Sequence, residues 1–316
     1  MNFSNISSRR KFWARLATDW IPVKSYRKAL RGILWMGVGN YMRVLRGDRV
    51  AKFDTELSVV AIMKNEGPYL KEWLDFHILA GVGKFYLYDN GSTDNTTDVL
   101  APYISRGVVE YKYWPGVGQQ NVVYIDALRK YSNKTRWMAF IDLDEFIVPV
   151  QHKTIPEFLH TLPRGFGGLV MSWVMYGSAG HVTRPDGLVM ENFKYHADAS
   201  RDSGCKSIVN PRLVVRLSNP HIHAVAGFLV DENGRKLGYI DQTHNPPSHN
   251  KIRCNHYLTK SYEEYIARGT RFGGGARVMG GANGHRSPEK FKQNDTNDVF
   301  DPIMDSWIPR VKSFKL

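Results

Sequence analysis

The amino-acid sequence predicts an α/β protein: a Rossmann-like, mostly parallel sheet in the first half, carrying an α+β second half. Three observations predict it. Short apolar runs at 57–63, 84–88, 108–111 and 137–141 alternate with amphipathic stretches of about a dozen residues, the pattern of right-handed βαβ units. Polar residues follow three of those runs directly: Asn65 and Glu66, Asp89 and Asn90, Asp142 and Asp144. After Pro149 the alternation gives way to strand-like pieces mixed with His, Gly and Pro.

Each element has a local reason. Residues 57–63 (LSVVAIM) are continuously apolar and rich in Val and Ile, as in a strand covered on both faces. Pro68 stands near a helix start, and Leu70, Trp73, Leu74, His77 and Ile78 then recur at helical spacing until Gly81 and Gly83. Residues 84–88 (KFYLY) form the second strand, and Asp89 to Asp94 a turn leading into a helix that closes at Val99 and Leu100. A third strand (108–111) and a third helix (119–131) follow, then the fourth strand, WMAFI, which runs into Asp142-Leu143-Asp144-Glu145. Beyond it, strands are expected at 168–174, 209–217 and 224–230, a helix at 261–268, and a Gly-rich stretch at 271–284. Three segments result: a basic, partly helical arm (1–56), a βα half (57–150) and an α+β half (151–316).

Composition narrows the function. Apolar residues make up 42% and charged residues 23%, which excludes a disordered chain. The net charge is +13, so anionic partners are favoured. Residues 1–57 hold twelve Lys and Arg against four acids, interleaved with Phe12, Trp13, Trp20 and Trp35. Such an arm suits an anionic membrane surface, or packs as a solvated helical arm. No nucleic-acid-binding module accompanies it, so no nucleic-acid partner is expected. Two cysteines make no disulfide framework and fit a reducing compartment. The SSRRKFW start is like a twin-arginine signal, but Arg15 and Asp19 break the apolar segment that should follow, and the apolar run 33–42 is broken by Gly37 and Gly39. The protein is expected in the cytoplasm, peripheral on the inner membrane face.

In open parallel sheets, ligands bind beyond the carboxyl ends of the strands. Three strand ends therefore nominate one crevice. Alternate residues of an extended chain face one side, so Asp142 and Asp144 are expected to share a divalent cation whose other positions take phosphate oxygens. Asp89 and Asn90 can hydrogen-bond a base or ribose, or serve as turn and cap residues; Asn65 and Glu66 have the same two readings. Lys206 and Arg271 are candidates for steadying a diphosphate. The second half holds His181, His196, His221, His223, His244, His249 and His256, without zinc-finger spacing. The P-loop, nucleophile-elbow and dinucleotide fingerprints are absent.

These residues carry a family resemblance. The stretch 61–77 (AIMKNEGPYLKEWLDFH), the FYLYDNGS at 85–92 and the WMAFIDLDEF at 137–146 resemble family 92 glycosyltransferases and related family 2-like bacterial enzymes. So do Tyr176 to His181, Lys206 to Val209 and Asn255 to Ser261. The resemblance spans roughly residues 57–300. It implies a GT-A fold, a nucleotide-sugar donor, in particular a UDP-sugar, and Mn2+ or Mg2+. It carries over Asp142 and Asp144 as the metal and diphosphate motif, Asp89 as a base-side contact, and His256 as a later metal ligand. For an inverting course it implies a general base from the second half, with Glu191 first and Asp202 second. A glycan or lipid-linked acceptor is expected, in surface-polysaccharide or lipopolysaccharide synthesis. Animal members carry an N-terminal anchor that is not read here, which points to a bacterial enzyme. A sugar-phosphate nucleotidylyltransferase would need a basic Gly-rich loop after the first strand, where Lys64-Asn65-Glu66 stands instead. A non-catalytic membrane or nucleic-acid binder would explain the charge and not the carboxylates at three strand ends.

Overall fold

The computed structural model describes residues 6–163, 165–199, 204–217, 219–238, 246–271 and 286–316, with the side chains of 270 and 271 excepted. Three helices come first: α1 (Ser8–Leu16), α2 (Lys24–Met36) and α3 (Val38–Gly47). The expected βα alternation then follows as β1 (Thr55–Met63), α4 (Gly67–Leu79), β2 (Lys84–Asp89), α5 (Thr96–Ser105), β3 (Val109–Tyr113), α6 (Gln120–Tyr131) and β4 (Thr135–Phe140). The second half contributes β5 (Glu145–Pro149), α7 (Ile155–Thr161), β6 (Gly168–Met175), α8 (Val189–Asn192), β7 (Tyr195–His196), β8 (Cys205–Val209) and β9 (Val214–Leu217). It continues with β10 (His223–Val225), β11 (Leu229–Val230), β12 (Ile252–His256), α9 (Tyr262–Arg271), α10 (Pro288–Asn294), β13 (Val299–Phe300) and α11 (Ile308–Ser313).

The main sheet has the order β3-β2-β1-β4-β8-β6-β12-β5, with β11 on β6. Strands β3, β2, β1 and β4 are mutually parallel, as the apolar runs predict. Strand β8 is antiparallel to both β4 and β6, and β12 runs parallel to β6 and antiparallel to β5. Residues 141–144 alone separate β4 from β5, although β5 lies at the far end of the strand order. The sheet therefore curls on itself, and the acidic tetrapeptide is the tie that closes the curl. This mixed α/β architecture, with a parallel half and an antiparallel continuation, is the fold class expected for a GT-A enzyme.

Two long strands expected in the second half are each broken. Pro211 starts a 3-10 turn (Pro211–Leu213) that splits 209–217 into the end of β8 and β9. Gly227, at φ +94°, splits 224–230 into β10 and β11. Proline lacks the N–H that a ladder needs, and a positive φ leaves the β region.

The core lies on both sheet faces. One cluster joins α4 to β1, β2 and β5 through Leu70, Trp73, Phe76, Phe85 and Phe146. The other packs α6 against β2 and β4 through Tyr124, Leu128, Tyr86 and Phe140. A third, small cluster seats the arm: Met36 on Leu213, Val215 and Ala226. Asp48, just past α3, accepts hydrogen bonds from the Arg212 guanidinium at 2.7 Å and from Asn210 at 2.6 Å, fastening the arm to the sheet. Helix α2 approaches β10 so closely that a Cβ on Gly32 would lie 2.1 Å from the Val225 carbonyl oxygen.

Backbone cannot yield as a flexible side chain can. Gly32→Ala should therefore cost about 1–3 kcal/mol of stability in denaturant unfolding. Gly39→Ala, in the first turn of α3 with nothing within 4 Å of its Cβ, should instead stabilise by about 0.4–1 kcal/mol. Equal effects at the two sites would contradict this packing.

Candidate active site

The site is built where β1, β2 and β4 end and β12 and α9 come over them. Two loops form its rim. Asn65, at φ +55°, donates its backbone N–H to Ser92 Oγ (2.9 Å), and its Oδ1 accepts from the Thr93 N–H (2.7 Å). Asp94 Oδ2 accepts from the Gly67 N–H (2.9 Å). Asp89 is 1% exposed; its Oδ1 accepts from the Ser92 N–H (2.7 Å) and its Oδ2 from the Tyr111 hydroxyl (2.8 Å). Asn90 Nδ2 donates to the carbonyls of Trp114 (3.0 Å) and Gly116 (2.7 Å). Asp89, expected as a base-side contact, is a buried carboxylate with both oxygens engaged in building the loop. Asn65 and Asn90 take the turn reading as well.

After Ile141, which still donates to the Val60 carbonyl of β1, the chain turns at residues 142–145, closed by the Glu145 N–H donating to the Asp142 carbonyl (3.1 Å). The two aspartates consequently go to different partners. Asp142 accepts from Gln120 Nε2 (2.9 Å) and pairs with Lys206 Nζ (2.7 Å). Asp144 pairs with Arg268 (2.6 Å), whose other arm reaches Glu66 Oε1 (3.0 Å). Among the described residues no group of three His, Cys, Asp or Glu could hold a metal ion. Of the three residues expected to hold the metal, Asp142 thus stands apart from Asp144 and His256.

Asp144 and His256 do come together, with Oδ1 and Nε2 3.7 Å apart. Register explains it: His256 is the β12 residue opposite Glu145 on β5, one residue past Asp144. The other imidazole nitrogen, Nδ1, is buried without a hydrogen-bond partner, and so is Glu145 Oε1, 4.0 Å away. A metal-bound imidazole commonly directs its second nitrogen at a carboxylate. A magnesium- or manganese-type ion takes one or two protein ligands and fills its remaining positions with phosphate and water. The residues present fit such an ion, held by Asp144 and His256 with Glu145 behind.

Charge here is dense and compensated. Burial alone would raise the Asp144 carboxyl, but Arg268 and His256 hold it well below the usual carboxylate range. Burial pushes Glu145 up to about 7, against the pull of Lys206. Burial would lower the Lys206 ammonium, and Asp142 and Glu145 override it, holding it well above its ordinary value. Lys206, expected on a diphosphate, is wholly buried between those acids and serves here as their counter-ion. Glu191, the first choice for general base, caps α8 through the Leu188 N–H (3.0 Å) and pairs with Lys312; burial would raise its carboxyl, but Lys312 lowers it. Asp202, the Arg271 side chain and residues 272–284 of the Gly-rich stretch lie outside the described residues.

Sequence reasoning missed Arg268 and Lys260. Arg268 follows the buried Glu264 and Tyr265 at helical spacing, and a cation on the buried stripe of a helix is the signal that marks it. Lys260, at φ +48° and 1% exposed, lies over the Tyr69 ring at 3.3 Å, and its Nζ has no hydrogen-bond partner. Burial, reinforced by Arg268, pushes its ammonium down to about 7.

That depression fixes a pH dependence. Between about 7 and the ordinary lysine value of 10.5 the unfolded chain holds a proton on Lys260 that the folded chain has released. Stability therefore rises with pH across that window, by up to about 1.4 kcal/mol per pH unit. Relative to Lys260→Met, the wild type should gain stability from pH 7 to pH 10 in denaturant titrations. A constant difference between the two proteins would show that Lys260 stays charged.

The family model of glycosyltransferase family 92 matches residues 60–273. Similar curated proteins include a family 92 glycosyltransferase protein of Oryza sativa subsp. japonica, 24% identical over 212 residues, covering 66% of this chain and 34% of the relative. One from Arabidopsis thaliana is 28% identical over 222 residues, covering 67% and 37%. A galactan β-1,4-galactosyltransferase of Arabidopsis thaliana is 30% identical over 104 residues, covering 29% and 20%. The chain thus spans about a third of the length of the first two relatives. Among solved structures, S. aureus TarS 1–349 overlaps with a TM-score of 0.35 and 18% identity, covering 50% of this chain and 48% of that one. On the match of its residues 60–273, the chain belongs to glycosyltransferase family 92.

Proposed function

We propose that the protein transfers a hexosyl group from a nucleotide sugar, a UDP-sugar in the first instance, to a glycan or lipid-linked acceptor hydroxyl. The observation that carries this reading is the paired Asp144 and His256 beside Arg268 at the strand ends. Family membership supports the reaction class, and it sets aside nucleotidyl transfer and simple binding. The similarity to galactan β-1,4-galactosyltransferases supports a hexose donor, with UDP-galactose the first to try.

The chemistry follows from charge. As the sugar leaves the diphosphate, the anomeric carbon becomes electron-poor and negative charge builds on the leaving oxygen. A divalent cation, when bound, stabilises that charge. Asp144 and His256 would hold it, with the Glu145 carboxyl 4.0 Å from the other imidazole nitrogen. Arg268 keeps Asp144 ionised at any physiological pH, so the ligand is ready without deprotonation. Asp142, tied to Lys206 and Gln120, fixes the turn that aims Asp144. The rim loops, stitched by Asn65, Asp89 and Asp94, give the donor a rigid crevice and little reorganisation on binding.

Calorimetry of UDP with and without manganese tests this. Wild type should bind UDP at least tenfold more tightly with manganese. Asp144→Asn and His256→Ala should lose that increment and keep metal-free binding. Asp142→Asn should weaken it less. UDP affinity indifferent to manganese in the wild type would overturn the metal-assisted reading. A panel of nucleotide sugars assayed for manganese-dependent hydrolysis would then identify the donor.

A further inference from the structure

The structure divides the basic arm into two parts with different work. Helix α2 packs on the sheet with Ser25, Ala29, Gly32 and Met36 buried, and Asp48 clamps the end of α3. Helix α1 and the turn after it are left standing outside. Helix α1 buries only Ala14. Of the eighteen large hydrophobic side chains exposed among the described residues, ten lie between residues 12 and 50. Five of them, Trp20 (76% exposed), Phe12 (61%), Leu16 (60%), Trp13 (55%) and Val23 (53%), lie on α1 or the turn to α2.

This edge is held rigidly. Thr18 Oγ1 donates to the Ala14 carbonyl (2.7 Å) and accepts from Arg31 Nε (3.0 Å), tying the turn to α2. Trp20 is steadied by its indole N–H donating to the Ala17 carbonyl (2.9 Å). Asp19, the one acid of the segment, is neutralised by Arg31 at 2.5 Å. Arg9, Arg10, Lys11 and Arg15 stand exposed beside the aromatic side chains. No described helix is long and apolar enough to cross a membrane.

We propose that α1 and the α1–α2 turn are an interfacial docking edge for an anionic lipid bilayer, with Phe12, Trp13, Leu16 and Trp20 entering the headgroup region and Arg9, Arg10, Lys11 and Arg15 meeting lipid phosphates. Exposed apolar patches of this kind mark interaction surfaces. Indoles with an apolar body and a polar N–H belong at the membrane–water boundary, and a cationic flank selects acidic headgroups. The site chemistry is remote from this argument: the edge is rigid on its own account, and an enzyme docked by it would meet a lipid-linked acceptor at the membrane surface.

The test uses the full chain and vesicles of phosphatidylcholine with or without phosphatidylglycerol. The protein should sediment with the mixed vesicles and not with phosphatidylcholine alone, and its tryptophan emission should shift to the blue on binding. Replacing Phe12, Trp13 and Trp20 by Ser should reduce partitioning more than tenfold. Arg9→Gln with Arg10→Gln and Lys11→Gln should abolish the preference for anionic lipid. Both variants should keep wild-type UDP affinity, since no residue of the crevice is touched; that readout separates this proposal from the catalytic one. No sedimentation with anionic vesicles, or equal sedimentation of the serine variant, would overturn it. So would self-association that covers Trp20 in the absence of lipid.

Discussion

A four-residue turn governs this molecule. Residues 141–144 pass the chain from β4 in the middle of the sheet to β5 at its end, which forces the sheet to curl and brings β12 and α9 over the strand ends. The same turn gathers the buried Asp144 and Glu145 beside the half-exposed Asp142, acidic groups that could not be buried without partners. Two cations answer them from separate elements: Lys206 from β8 and Arg268 from α9. Removing either would strand a buried carboxylate, the costly half of any buried pair. The turn, the curl and the cations are therefore one constraint, and the site inherits its geometry from it.

The division of labour between the aspartates follows. An extended Asp-x-Asp would have offered two equivalent carboxylates, and the turn makes them unequal. Asp142 faces Lys206 and Gln120 and stiffens the turn. Asp144 faces His256 with one oxygen and Arg268 with the other, so it meets an imidazole donor while its charge is already secured. The arrangement ties one acid to Lys206 and Gln120 and sets the other beside His256, with the fully buried Glu145 4.0 Å behind the imidazole.

Rigid loops and a rigid arm serve the same end at different distances. The β1–α4 and β2–α5 loops are joined by side chains of Asn65, Ser92 and Asp94, so the crevice rim is fixed before any ligand arrives. At the other side, Asp48 with Arg212 and the close seat of Gly32 fix α2, and α1 is presented from it. The turn after α1 is tied to α2 by Thr18 and Arg31, and Trp20 within it donates to the Ala17 carbonyl.

The βα half was legible in the sequence because its signals are local. Continuous Val- and Ile-rich runs, Pro68 near a helix start and glycines at helix ends each report their own few residues, and β1, α4, β2, α6 and β4 came out within a few positions. The gathering of acidic and amide side chains at the strand ends was legible too, since it is written in the residues that follow each apolar run. What the sequence could not carry was pairing. That Lys206 would spend its charge on Asp142, that Glu191 would cap α8 against Lys312, and that both Asp89 oxygens would be consumed by Ser92 and Tyr111 depend on elements far apart in the chain. His256 was expected from family likeness, but its place beside Asp144 is a matter of β5–β12 register, and Arg268 and Lys260 enter only because α9 folds back over the turn. Local composition determined which elements form and where acids collect; tertiary structure alone decided which acid is paired, because a charge's partner is set by distance in space and not along the chain.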